Sequence, residues 1–260
     1  MFDQLLARGF QIEFLSHAKA ILSVDFPDAV VELEQALALL SIPIEEVIGS
    51  GGGEAKGTQR LRRSLSSSAW NKINFTIEKR INGIPKESIS HEVDHVRQFP
   101  DGRVIALEIE WNNKDPFFDR DLENFKRLHA EGAISAGIIV TRGSSLQDQM
   151  VANVRQFALD KDLKCADDLK RIGLTPTRRQ TEDVKRRMKN GASFTEAWPA
   201  SFVQDKYGAA TTHWKKLEDR VKRGVGNPCP LLLIGLPAAI VTFSEHLDTE
   251  AILSGDETAL

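Results

Sequence analysis

The stretch that most limits how this chain can fold is Val93–Asp115, VDHVRQFPDGRVIALEIEWNNKD. Two runs, Val93–Phe99 and Arg103–Trp111, flank Pro-Asp-Gly, a tight-turn signal, so they read as a β-hairpin. Side chains alternate along a strand, which puts Glu108 and Glu110 on one face and Leu107 and Ile109 on the other. Two carboxylates at that spacing lie about 7 Å apart, and burying them unpaired is costly. Asp94 lies on the neighbouring strand, where hairpin pairing brings it within reach. Two readings fit this pattern. One is an amphipathic strand with a wet face. The other is three acids converging on a hard cation such as Mg2+, which takes one or two carboxylates with waters and a phosphate oxygen and activates a water for attack at phosphorus. The polar and aromatic cluster WNNKDP directly after the strand, and the aspartate on its partner, favour the second.

The rest of the chain supplies a frame for the hairpin. Ala136–Thr141, AGIIVT, and Leu231–Leu236, LLLIGL, are apolar throughout, as strands covered on both faces are. Asp28–Leu40 has a helical apolar stripe, with Asp28 placed to cap it. Gln59–Trp70, Asp121–Ala130, Leu146–Leu159 and Trp214–Arg223 also read as helices, while the first 22 residues mix helix and strand patterns. The order strand, strand, helix, strand, helix predicts an α/β fold: a central mixed sheet of five to six strands flanked by helices. The 260 residues suit a single domain. Within it, residues 160–206 are rich in Arg, Lys and Thr and read as a helical insertion or subdomain, with helices over Thr181–Asn190 and Ser193–Trp198. The acidic tail after Ser244 reads as loosely held.

Net charge is −3, so global basicity does not advertise a nucleic-acid partner and local clusters carry that question. Lys56, Arg60, Arg62, Arg63, Lys72, Lys79 and Arg80 form one such cluster, read either as a solvated face or as a phosphate-backbone contact. The glycine-rich stretch Ile48–Arg60 lacks the Gly-Lys-Ser/Thr of a phosphate-cradling loop and reads as a linker. Cys165 and Cys229 are too few for a disulfide framework and too far apart for a zinc site, which points to a reducing cytoplasm. The N-terminus carries no signal-peptide pattern, and Pro230–Val241 is too short to span a bilayer, so no membrane association is expected.

An aspartate followed after 10–20 residues by Glu-x-(Lys/Glu/Gln) is the order found in metal-dependent nucleases, and here the likeness extends further. The stretches HEVDHVR…RVIALEIEWNNKDPF (His91–Phe117), AGIIVTRG (Ala136–Gly143) and TTHWKKLEDRVKRGVGNPCPLLLIGLP (Thr211–Pro237), and more weakly GTQRLRRSL…AWNKINF (Gly57–Phe75), resemble the type II restriction endonucleases of the BglII group. That group includes BstYI, is related to BamHI, and belongs to the PD-(D/E)XK nuclease fold. The resemblance implies a restriction-endonuclease-like core, with Asp94 and Glu108 as metal ligands and the Ile109 carbonyl completing the protein's share. Glu110 takes the position that is Lys in most of the superfamily, Gln in BglII and Glu in BamHI; it would orient or deprotonate the attacking water, or hold a second ion. Asn74 or Glu78 stands where the family has a fourth polar residue.

The resemblance also places Asn112 and Asn113 among base readers, since Asn suits bidentate contact with adenine; the residues themselves equally suit a turn. Lys114 and Arg142 fall near the DNA, and Thr211 and Thr212 on a second recognition loop, with His213 as a packing or phosphate residue. The implied enzyme is an Mg2+-dependent homodimer that cuts double-stranded DNA at a short palindrome. Its site would share a GATC core, such as RGATCY or AGATCT, its products would carry 5′-phosphates, and it would be accompanied by a cognate DNA methyltransferase. A repair or recombination nuclease without strict specificity, and a DNA-binding protein with a dead site, are the alternatives.

Overall fold

The computed structural model describes residues 1–49 and 54–243. The chain opens with helix α1 (Asp3–Ala7), strand β1 (Gln11–Leu15), and helices α2 (Ala18–Asp25) and α3 (Pro27–Ala38). A two-residue strand β2 (Ile42–Pro43), helix α4 (Ile44–Ile48) and helix α5 (Lys56–Ser67) follow. Strands β3 (Trp70–Ile81), β4 (Ile84–Gln98) and β5 (Val104–Glu110) lead to helix α6 (Phe117–Ala130), strand β6 (Ala136–Arg142) and helix α7 (Ser144–Asp160). Helices α8 (Ala166–Arg171), α9 (Arg178–Lys189), α10 (Phe194–Lys206) and α11 (Trp214–Lys222) precede β7 (Leu231–Leu236) and β8 (Val241–Thr242).

Six strands form one mixed sheet in the order β1-β7-β6-β5-β4-β3, as the expected α/β architecture requires. β5, β6 and β7 run parallel, and the outer pairings are antiparallel. The two apolar runs, β6 and β7, are buried at every position because helices cover both faces of the parallel centre. One face packs Ile105, Leu107, Ile138, Val140, Leu232 and Ile234 into a core shared with α3, α7 and α10. The other packs Ala106, Ile139, Leu231 and Leu233 against Phe118, Leu122 and Phe125 of α6 and Trp214 and Leu217 of α11. Each such Leu, Ile or Phe contributes about 1.5–3 kcal/mol by leaving water, which offsets the cost of acids buried beside them. α6 comes especially close: a Cβ added at Gly137 of β6 would lie 2.4 Å from the Phe125 ring.

The hairpin turns where Pro-Asp-Gly predicts. Gly102 has φ +85, a left-handed conformation that suits glycine, and its N–H donates to the Phe99 carbonyl at 2.9 Å. Three expectations shift. β3 replaces the end of the predicted 59–70 helix, which lies instead at Lys56–Ser67, with Trp70 opening the strand. β4 begins at Ile84, well before Val93. Residues 160–206 have no core of their own: Leu169, Val184, Trp198 and Phe202 join the cluster that holds Leu107 and Ile234. Residues 50–53 of the glycine-rich stretch and the tail after Ser244 lie outside the described residues. No described helix is long and apolar enough to cross a membrane, and both cysteines are free.

Candidate active site

β4 pairs with β5 only from Gln98↔Val104 to His95↔Leu107; beyond that point it pairs with β3 alone. The β3–β4 register slips between Asn71↔Val96 and Ile73↔Val93, so Asp94 and His95 together oppose Lys72 in a bulge. A bulge of this kind re-aims side chains and is common beside active sites. The last residues of β5, Glu108 to Glu110, are therefore flanked by β6 on one side and open on the other. Helix α6 covers them. Its inner stripe is Phe118, Leu122, Phe125 and Leu128, interrupted by Asp121 and, one turn on, Asn124.

The result is a group of acids withdrawn from water. Glu108 is 4% exposed, Glu110 3% and Asp121 0%. Burial first, and the nearby carboxylates Asp121, Asp94 and Glu110 next, push the Glu108 carboxyl up to about 9. Burial and Asp121 push Glu110 up to about 8, and burial raises Asp121 as well. Arg120 touches the group, 2.7 Å from Asp121 Oδ1 and 3.8 Å from Glu110 Oε1. Asn113 Nδ2 donates to Glu110 Oε2 at 2.8 Å. His91 Nε2 lies 4.0 Å from Glu108 Oε1, and Asn124 Nδ2 lies 2.9 Å from His91 Nδ1. Among the described residues Asp121 Oδ2 is buried with no donor besides the neighbouring Glu110 carboxyl when that is protonated.

The wet-face reading of β5 fails on this burial. One guanidinium does not neutralise three buried carboxylates, and ligand atoms of His91, Glu108 and Asp121 lie within 4.8 Å of one another. Carboxylate oxygens with an imidazole nitrogen are a donor set that fits a divalent cation.

The residues singled out from sequence fall into three groups. Glu108 and Glu110 stand together at the end of β5, and the Ile109 backbone lies between them. Asp94, across the gap on β4, is near enough to help raise the Glu108 carboxyl, but it is about half exposed and pairs with Lys72 at 2.9 Å, as does Glu92. Asn74 and Glu78 are exposed on β3, bonded to Ser90 and Arg80 respectively.

The two expected recognition loops meet. Asn113 N donates to Thr212 Oγ1 at 3.2 Å, Thr212 N to Asn113 O at 2.8 Å, and Asp115 N to Ala210 O at 3.0 Å. Lys114 bridges Thr211 through backbone and is exposed. Asn112 Oδ1 is buried and unpaired.

Arg142 is the correction among the DNA contacts. It is 0% exposed, and its guanidinium donates to the Trp111 carbonyl (2.8 Å), Gln147 (2.5 Å), Thr211 Oγ1 (2.6 Å) and the Thr212 carbonyl (2.6 Å), over the Tyr207 ring. It joins the two loops from beneath and has no surface to offer a phosphate. Thr212 is equally buried, and its hydroxyl is taken by Asn113. Burial holds His213 down at about 4, so it stays neutral as a packing residue. Of the basic cluster, Arg60, Arg62, Lys72 and Arg80 are paired with Glu46, Glu54, Glu92 and Glu78.

Sequence reasoning missed Asp121, His91 and Asn124. The available signal was an aspartate on the inner stripe of an amphipathic helix, where an uncompensated charge is costly.

No curated protein matches the chain. A family model described as restriction endonuclease BglII/BglIII matches residues 10–236, from the start of β1 through the end of β7. That span takes in all six strands of the sheet, the buried acids of β5 and both loops beyond it, and the chain therefore belongs to the BglII restriction endonuclease family.

Proposed function

We propose that the protein is a divalent-metal-dependent type II restriction endonuclease that acts as a homodimer on a short palindrome in double-stranded DNA. Family membership makes it a nuclease with DNA as substrate; the burial of Glu108 and Glu110 at the end of β5 is the observation that carries the finer reading. Mg2+ bound there would supply Lewis-acid stabilisation of the phosphate and an activated water. Glu108 would hold it with the Ile109 carbonyl and Asp94, the last exchanging its ion pair with Lys72 for the cation. Glu110 would orient the attacking water or take its proton.

Asn113 links the chemistry to the DNA side. Its amide holds Glu110, while its backbone is tied to Thr212. Asn112, Asn113, Lys114 and Thr211 would face the bases and backbone, with Arg142 and Thr212 positioning them. Two-fold DNA symmetry calls for a two-fold protein. A GATC-core site, 5′-phosphate products, a cytoplasmic location and a companion methyltransferase follow from family analogy. Digestion of a long plasmid with Mg2+ tests the reading: discrete bands are expected, and a smear or no cutting would contradict it.

A further inference from the structure

The acids of β5 do not stand alone, and the residues that complete them come from outside the hairpin. Asp121 is fully buried on α6, yet Phe118, Leu122 and Phe125 on the same stripe are apolar. An ionised carboxylate there is costly unless compensated. Oδ1 accepts from Arg120, and among the described residues Oδ2 has no donor besides a protonated Glu110 carboxyl. His91 approaches Glu108 from β4, and Asn124, one turn along α6 from Asp121, lies at hydrogen-bond distance from its ring, 2.9 Å from Nδ1 and 3.0 Å from Nε2. A polar partner that orients the ring is usual beside a metal-ligating histidine.

We propose that Asp121 and His91 are protein ligands, with Glu108, of a divalent cation, so that helix α6 and the far part of β4 build the metal centre together with β5. The inference deepens the metal-dependent reading above and rests on it for the cation's role in cleavage, though not for the binding itself. An imidazole among the donors favours a transition metal over Mg2+, which prefers an all-oxygen shell. Mn2+ should therefore bind more tightly than Mg2+, and His91 should be the residue that separates them. Asn124 is a positioning residue, acting through the His91 ring.

The test is calorimetric titration of the chelator-stripped full-length protein with Mn2+ and with Mg2+, without DNA. Asp121→Asn should weaken Mn2+ binding at least tenfold. His91→Gln should weaken Mn2+ more than Mg2+, and Glu123→Gln, an exposed position on the same helix, should change neither. Wild-type Mn2+ affinity in Asp121→Asn would overturn the inference, as would a wild-type protein that binds no Mn2+. Should Asp121→Asn not fold, His91→Gln decides: an unchanged Mn2+ to Mg2+ preference would overturn it. A protein that cuts plasmid with Mg2+ while Asp121→Asn binds Mn2+ normally would sink this inference and leave the nuclease reading standing. One that binds Mn2+ through Asp121 and cuts nothing would do the reverse.

Discussion

Asn113 Nδ2 donates to Glu110 Oε2 at 2.8 Å, three residues along the chain. A single side chain thus joins the segment expected to read DNA to the acid expected to handle the attacking water. Asn113→Ala removes a donor from a buried carboxylate and should lower cleavage about 10–100-fold, in the range of other supporting contacts at metal sites. Asn113→Asp sets a second negative charge against Glu110 and should be more damaging than Ala. Both are read from initial cleavage rates at saturating metal; equal rates in Ala, Asp and wild type would disconnect the two residues.

Arg142 gives a prediction of a different kind. From a fully buried position it donates to three acceptors on the two loops and to Gln147 on α7, with no carboxylate partner among the described residues, and burial lowers its pKa to about 10. Arg142→Met should strand the Trp111 and Thr212 carbonyls and cost about 2–4 kcal/mol, or roughly 5–15 °C in Tm. Arg142→Lys keeps the charge but not the fork, and should restore little of that loss. A melting temperature within 2 °C of wild type, to take a rough threshold from the same scaling, would show that the loops hold without it.

The buried acids make metal-free stability depend on pH. Glu108 and Glu110 have folded pKa values of about 9 and about 8, both above the ordinary 4.5. Between those limits the folded state binds more protons than the unfolded one, so stability falls as pH rises. Their favourable contribution is complete below pH 4.5 and lost as pH climbs through 8 and 9. Above pH 7 the buried histidines are neutral in both states, so thermal melts in chelator should show Tm declining from pH 7 to pH 9, and saturating Mg2+ or Mn2+ should flatten the decline. Glu108→Gln should flatten it in chelator as well. A metal-free Tm that rises across this window would contradict the assigned burial.

Lys72 competes with the cation for Asp94 in the proposed mechanism. The pair is 2.9 Å long and half exposed, and such surface pairs contribute at most about 1 kcal/mol. Lys72→Met should leave folding intact and tighten Mg2+ binding several-fold. Unchanged affinity would mean that Asp94 takes no part in the metal centre.

The hairpin and the buried parallel centre were legible in the sequence because their signals are local. Pro-Asp-Gly marks the turn, and β6 and β7 are apolar at every position because both faces are covered. The outer halves of β3 and β4 escaped because they pair only with each other and bury little: Lys79, Arg80, Lys86, Glu87 and Ser88 are all exposed, so no alternation survives there. The inner half of β3 does alternate, with Ile73, Phe75 and Ile77 packed on the core and Asn74, Thr76 and Glu78 exposed. The position of Asp94 was hidden by a bulge, since a one-residue slip changes where every following side chain lies. Asp121 opens a helix in the sequence with nothing local to mark it, because its place depends on α6 packing over β5, a contact that no short stretch encodes. Arg142, next to a strand end, resembles a surface cation until the second loop is folded over it.

If Glu108 belongs to the chemistry and not merely to the core, its loss separates cutting from binding. The direct measurement compares cleavage and binding of one plasmid by wild type and Glu108→Ala, each shown to be folded by its melt. Mg2+-dependent discrete bands from wild type, no cutting by Glu108→Ala, and DNA affinity within a few-fold between the two are the predicted results. Retained cutting by folded Glu108→Ala would contradict the account.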